Sequence, residues 1–302
     1  MGFMFRVPPP SLSAGFGYFG TGWTGSVSTT SVDKLNFAND SISAAAATML
    51  GKTDAIGFNS PTNGYVAGGR DNKASASVNS IERLTFATDT SALLSAILGA
   101  TMRSAAGLNS TVRGYVAGGF QSSNSKVIQR LIFADETCTV IAATLQVERM
   151  TSASGINSST KGYAVGGENA AGFKTTEIDG IQFDTEAVAN PAATLATATS
   201  FMAGVNSTLA GYECGGSATT NQIVKFLFST ETRSTLSAIL ATARSRAVGV
   251  NSATQGYVAG GYTTSAVNDI DGLEFAGETA INPSATLASA RYDLSGFQSG
   301  SL

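Results

Sequence analysis

Apolar residues along this chain come in short bursts rather than long amphipathic stretches. One burst has the form Ile-x-x-Leu-x-Phe, as in Ile81-Glu82-Arg83-Leu84-Thr85-Phe86 and Ile128-Gln129-Arg130-Leu131-Ile132-Phe133. A continuous run, Gly-Tyr-x-x-Gly-Gly, precedes it, and a small-residue run ending in Leu follows it, as in Ser95-Ala96-Ile97-Leu98. Such runs, bounded by Gly, Asn, Ser and Thr, predict β-strands. No segment of comparable length carries a helical period.

The bursts repeat. Gly-Tyr-x-x-Gly-Gly occurs at Gly64, Gly114, Gly162, Gly211 and Gly256, with a degenerate sixth copy at Gly17-Tyr18-Phe19-Gly20-Thr21-Gly22. The spacings are 47, 50, 48, 49 and 45 residues. Each copy after the first follows a Gly-x-Asn-Ser turn, beginning with Gly57-Phe58-Asn59-Ser60. Four short strands per repeat of this length predict a β-propeller blade. The Gly pair is expected within a strand that another backbone approaches closely. Tyr and Phe are expected to fill the space between neighbouring blades.

The first copy lacks a preceding Asn-Ser strand, whereas Tyr292-Asp293-Leu294-Ser295-Gly296-Phe297-Gln298-Ser299 has the missing pattern with Gln for Asn. The expectation is an all-β, six-bladed propeller with four antiparallel strands per blade. The C-terminal strand would join the N-terminal blade and close the ring, leaving no open end. The expected organisation is an extended Pro-rich arm over 1–13 and the propeller over 14–302.

Gly-Tyr-Val-Ala-Gly-Gly, followed by Ile-Glu-Arg-Leu-Thr-Phe and then Leu and Arg, resembles a kelch repeat. The pattern departs from kelch in its tryptophan: the single Trp, Trp23, stands elsewhere in the unit. Gly17-Tyr18-Phe19-Gly20 with Ser31-Val32-Asp33-Lys34-Leu35-Asn36-Phe37-Ala38-Asn39-Asp40 is similar to the repeats of tail-associated structural proteins of cyanophages and related marine phages. That resemblance implies a non-enzymatic virion component of the tail, tail fibre or baseplate. Its implied partners are other virion proteins and a host-surface glycan or protein, with assembly in the host cytoplasm. A free sugar-binding lectin is the alternative.

Composition narrows the chemistry. Only 13% of the 302 residues are charged and there is no His, so the usual general base and commonest transition-metal ligand are missing. Two cysteines, Cys138 and Cys214, cannot build a disulfide framework or a four-ligand zinc site. Each is expected to be a small buried residue. A net charge of −3 gives no footprint for nucleic acid. No window approaches the length of a membrane span, and no export signal is recognisable at the N-terminus. No enzyme, cofactor or metal site is expected; among hydrolases only a two-carboxylate arrangement fits the composition.

The residue after each Gly-Gly varies: Trp23, Arg70, Phe120, Glu168, Ser217 and Tyr262. Strand order places these with the inter-blade connections on one face. Aromatic and Arg side chains are enriched at binding hot spots, so Trp23, Arg70, Phe120, Glu168 and Tyr262 are the binding-face candidates. The alternative is that they cover loop backbone. Arg103, Arg149, Arg244 and Arg291 in the connections are expected to brace neighbouring blades, with binding as the other reading. An acid stands three residues after each repeat Phe: Asp40, Asp89, Glu136, Glu186, Glu231 and Glu278. These acids are expected to accept backbone N–H groups in tight turns, a cation-binding ring being the alternative. Asn109, Asn157 and Asn206 stand in Asn-x-Ser/Thr form, but in the same turn each time, and glycosylation is not expected. Phe3, Met4, Phe5 and Val7, ahead of Pro8-Pro9-Pro10, form a candidate N-terminal anchor for another subunit; the alternative is an arm folded back on its own blade.

Overall fold

A computed structural model describes residues 15–150 and 155–300. The candidate anchor Phe3, Met4, Phe5 and Val7, with the 1–13 arm, lies outside the described residues.

The described residues contain strands and turns without a helix. They form six four-stranded antiparallel sheets, one per repeat, beside one small three-stranded sheet. Sheet 2 shows the plan: first strand Ile56–Asn59, second Asn63–Ala67, third Ser80–Thr85 and fourth Thr90–Ile97. Each second strand is the Gly-Tyr run, buried along nearly its whole length. That is why it reads as continuously apolar rather than alternating. The fourth strands are largely exposed and end the sheets.

Sheet 1 departs from chain order. Its first strand is Ser295–Gln298, which pairs antiparallel with Phe16–Gly20 in the register Gly17 to Gln298 and Gly20 to Ser295. The first strands lie side by side. A Cβ on Gly57 would stand 2.1 Å from the carbonyl oxygen of Gly296, and one on Gly107 would stand 2.2 Å from that of Gly57. The same approach links Gly155 to Gly107, Gly204 to Gly155, Gly249 to Gly204 and Gly296 to Gly249. Real Cβ atoms do not approach an oxygen so closely, which fixes glycine at this position.

The Gly-Gly pair does not lie inside a strand, as its sequence suggested. It follows the second strand, and both residues take left-handed backbone (Gly68 φ 59°, Gly69 φ 100°). The close approach is real: a Cβ on Gly68 would meet the Met102 carbonyl at 2.2 Å. Conformation and crowding therefore both demand glycine.

One side-chain system joins each sheet to the next. The Gly-Tyr tyrosine stacks on the repeat Phe of the following sheet: Tyr18 on Phe86, Tyr65 on Phe133, Tyr115 on Phe183, Tyr163 on Phe228, Tyr212 on Phe275 and Tyr257 on Phe37. The centroids are 5.2 to 5.7 Å apart. The same tyrosine hydroxyl donates to the acid three residues beyond that Phe, over 2.6 to 3.3 Å. Thus Tyr18 reaches Asp89, and Tyr257 reaches Asp40. All six acids sit at positive φ, so the expected turn is present. Their carboxylates, however, face the neighbouring sheet rather than backbone N–H groups. Lys34, Arg83, Arg130, Lys161 and Lys225 pair with Asp89, Glu136, Glu186, Glu231 and Glu278. Occupied by a phenol in all six cases and by a cation in these five, the acids act as braces. Burial first, and the adjacent carboxylate second, push the Tyr65 and Tyr212 hydroxyls up to about 12, so they stay donors across the physiological range.

A second brace is buried. Arg149, Arg244 and Arg291 are fully buried and pair with Asp179, Asp271 and Asp33 in the third strand of the next sheet, at 2.6, 2.9 and 2.8 Å. Lys52 and Glu82 make the same link between sheets 1 and 2 at 2.9 Å. At the two remaining junctions Met102 and Thr199 replace the cation, while Gln129 and Val224 replace the acid. At the first of these, cation and acid are absent together, as the cost of burying an unpaired charge demands; at the second, Glu213, opposite Val224 in the register and 2% exposed, keeps a buried acid.

Candidate binding face

The residues after Gly-Gly all lie where the chain passes from one sheet to the next. Trp23 exchanges backbone hydrogen bonds with Tyr292, Phe120 with Arg103, Glu168 with Met150 and Tyr262 with Ser245. Arg70 pairs with Thr53, and the Ser217 amide donates to Ser200. Backbone pairing thus fixes the position, leaving the side chain free to vary. Arg103 is not aligned with Arg149, Arg244 and Arg291. It stands one residue further on and lies over the Phe120 ring, 4.7 Å from its centroid.

Five left-handed residues stand at the inner end of these connections. Asp54, Ser104, Phe201, Arg246 and Asp293 lie at φ between 53° and 59°. Each stands three residues before a first-strand glycine. The Asp54 amide donates to the Asp293 carbonyl (3.1 Å), Ser104 to Asp54 (2.9 Å) and Asp293 to Arg246 (3.0 Å). The conformation recurs at this position in every described copy, so it belongs to the turn of the repeat. The side chains continue the chain of contacts. Ser104 Oγ donates to Asp54 Oδ1 (3.1 Å), and Arg246 donates to Asp293 Oδ2 (2.8 Å) while its guanidinium covers Phe201 at 4.3 Å.

Trp23, Asp54, Arg70, Arg246, Tyr292 and Asp293 line one cavity. Tyr262, partly exposed, packs edge-on against Tyr292 with centroids 5.2 Å apart. Of the sequence candidates, Trp23 and Arg70 therefore meet in a single site, with Tyr262 adjoining it. Phe120 is capped by Arg103, and Glu168 lies at another junction; neither lines this cavity. Sequence reasoning missed Asp54, Arg246, Tyr292 and Asp293. Their signal was chemical divergence at a fixed repeat position, the same signal that picked out Trp23 and Arg70. Cys214 is fully buried and Cys138 partly so; burial pushes the Cys138 thiol up to about 11, leaving it unreactive.

Burial first, then the neighbouring Asp54 carboxylate, raise the Asp293 carboxyl to about 7, and together they outweigh Arg246 and Arg103. Between its ordinary value of 3.8 and about 7, the folded chain holds a proton there that the unfolded chain releases. Stability from this group is therefore complete at acid pH and falls as pH rises through that window, by about 1.4 kcal/mol per unit. Thermal melts of the parent and Asp293→Asn from pH 4 to 8 should show the variant gaining on the parent as pH rises. A constant difference would contradict the raised carboxyl.

No protein-family model matches the chain, and no curated protein matches it.

Proposed function

We propose that the six sheets are the blades of a closed, kelch-like propeller serving as a non-enzymatic structural protein of a phage virion. In this reading it sits on the tail, tail fibre or baseplate and contacts other virion proteins, and through them or directly a host-surface glycan or protein. The face carrying Trp23, Arg70, Arg246, Tyr292 and Tyr262 makes the contact. One observation carries the binding role. Tyrosine, phenylalanine and acid repeat at every junction, whereas positions after Gly-Gly and before the first-strand glycine diverge and gather side chains of both charges with aromatic rings. A mixed, asymmetric surface suits one protein or glycan partner rather than six equal ligands. The virion assignment rests on the likeness of the first repeat to phage tail proteins.

A free carbohydrate-binding propeller is the second reading, favoured by the Trp23, Tyr262 and Tyr292 rings. Antibody raised against the purified protein should label the tail, fibre or baseplate of particles by immunogold microscopy. Trp23→Ala and Arg70→Glu should each weaken binding to isolated tail components at least tenfold. Unlabelled particles, with a free glycan bound by the parent and lost in Trp23→Ala, would instead establish the lectin.

A further inference from the structure

Trp23 and Asn72 belong to two cavities. Besides the one they share with Arg70 and Tyr292, both line a second of about 350 Å³ at the junction of sheets 1 and 2. That size falls in the range of ligand pockets, roughly 300–1,000 Å³. One wall is particular to this junction. Here the connection folds into the three-stranded sheet Lys52–Thr53, Arg70–Asp71 and Ala76–Ser77, which no other junction forms among the described residues. On the other side the Thr24–Val27 turn is closed by the Thr24 amide on the Val27 carbonyl (3.0 Å) and the Val27 amide on Thr24 Oγ1 (3.2 Å). Asn72 Nδ2 ties the two walls together, donating to Ser28 Oγ (2.6 Å) and Thr53 Oγ1 (3.3 Å).

The lining combines apolar side chains with uncommitted acceptors. Trp23 is half-buried, and Val27 and Leu50 are large apolar side chains left exposed. The polar part is Asp71-Asn72. Thr53 Oγ1 gives its hydrogen to Asp54 Oδ2 (3.4 Å), so toward Asn72 it can only accept, and the atom facing it is the amide nitrogen. Asn72 Oδ1 is then an acceptor without a partner among the described residues. Asp71 Oδ1 takes the Lys73 and Ala74 amides (2.8 and 3.3 Å), leaving Oδ2 unused. The Trp23 indole N–H is likewise unpaired among the described residues.

Charge selects no ion here. Lys52 is committed to Glu82 (2.9 Å), and exposed Lys73 stands two residues from Asp71. A hard metal ion needs more oxygens than Asp71 and Asn72 supply. A wholly apolar ligand would strip water from both acceptors without replacing its bonds.

We propose that this cavity binds a neutral sugar ring between Trp23 and the Asp71-Asn72 turn. A pyranose carries C–H groups on one face and hydroxyls around its edge. The C–H face covers Trp23, Val27 and Leu50 and takes their apolar surface out of water. Edge hydroxyls donate to Asn72 Oδ1 and Asp71 Oδ2, and another accepts from the Trp23 N–H. The proposal rests on the contact face set out above and gives that face a ligand class.

Trp23 is the only tryptophan in the chain, so its fluorescence reports on the site. Methyl glycosides of glucose, galactose, mannose and N-acetylglucosamine are titrated separately into the full-length protein, and at least one should shift the emission saturably. Leu50 and Val27 line this cavity and not the one with Arg70. Leu50→Glu, Val27→Arg and Asn72→Leu should therefore each weaken the response at least tenfold. Val27 is exposed in a turn, so Val27→Arg blocks the cavity without disturbing a buried position. Leu209→Ser, exposed at the opposite face, should leave the response unchanged. A response to dextran or mannan but not to the glycosides would also uphold the site, as one for a ring within a glycan. A response that Leu50→Glu and Val27→Arg both retain would overturn the proposal and leave the contact face standing. A shift caused only by isolated tail components, and lost in Val27→Arg, would assign the cavity to a protein partner and overturn the sugar. No response to any of these sugars would overturn it too, whereas the virion reading falls only if particles stay unlabelled.

Discussion

Removing residues 293–302 should abolish the cooperative melt of the parent protein. The deleted segment supplies the first strand of sheet 1, and its ladder partner is Phe16–Gly20 near the other end of the described chain. Phe297, 1% exposed, stacks on Tyr18 at 5.5 Å and lies 6.3 Å from Phe86. Leu294 is equally buried. Loss of the Phe297 ring alone costs ~3–5 kcal/mol, against a typical domain stability of ~5–15 kcal/mol. The truncation adds an exposed strand edge on Phe16–Gly20 and bares the first strands Ile56–Asn59 and Val248–Asn251. Calorimetry and limited proteolysis report the outcome, with Phe297→Ala as the milder companion. A truncated chain melting cooperatively at the parent temperature would refute the proposed closure.

Arg291→Ala should be nearly as damaging, by ~3–5 kcal/mol, because it strands the Asp33 carboxylate in the interior. The guanidinium donates to Asp33 Oδ2 (2.8 Å), the Phe19 carbonyl (2.8 Å) and Ser31 Oγ (3.1 Å), all in sheet 1. Burial pushes the Asp33 carboxyl up despite Arg291 beside it. The pair is therefore costly to hold and costlier to break. The junction between sheets 2 and 3 offers a remedy, since it uses Met102 and Gln129 at these positions. Arg291→Met combined with Asp33→Gln should recover most of the loss in chemical denaturation. A double variant no better than Arg291→Ala would mean that the guanidinium's bonds to backbone and Ser31, rather than charge pairing, carry the effect.

The sheets were legible because a repeat of 45 to 50 residues exposes its strands, turns and glycines to comparison. The pairing of Ser295–Gln298 with the first repeat was legible for the same reason: one repeat lacked a strand that the last segment could supply. The partners across the junctions were hidden. Asp89 looked like a turn acid because its bond runs to Tyr18, a full repeat and a half away in sequence. Arg103 looked like Arg149 because their offsets from the first-strand glycine differ by only two residues, and spacing alone does not show which one reaches the interior. The Asp54, Arg246 and Asp293 cluster draws its members from three repeats. Only the arrangement of sheets brings them into contact.

The origin of sheet 1 from both ends of the described chain also sets a timetable for synthesis. Sheets 2 to 6 each complete within one stretch of nascent chain, so each pairs soon after it emerges. Sheet 1 cannot. Its strand Phe16–Gly20, with Tyr18 and Phe19 destined for full burial, is made early but finds its partner only when Ser295–Gln298 appears. At ~5–20 residues per second, translation leaves that sticky edge unpartnered for tens of seconds. During that interval the half-made protein is most open to pairing with a second nascent chain, and a ribosome-associated chaperone would find its binding site there.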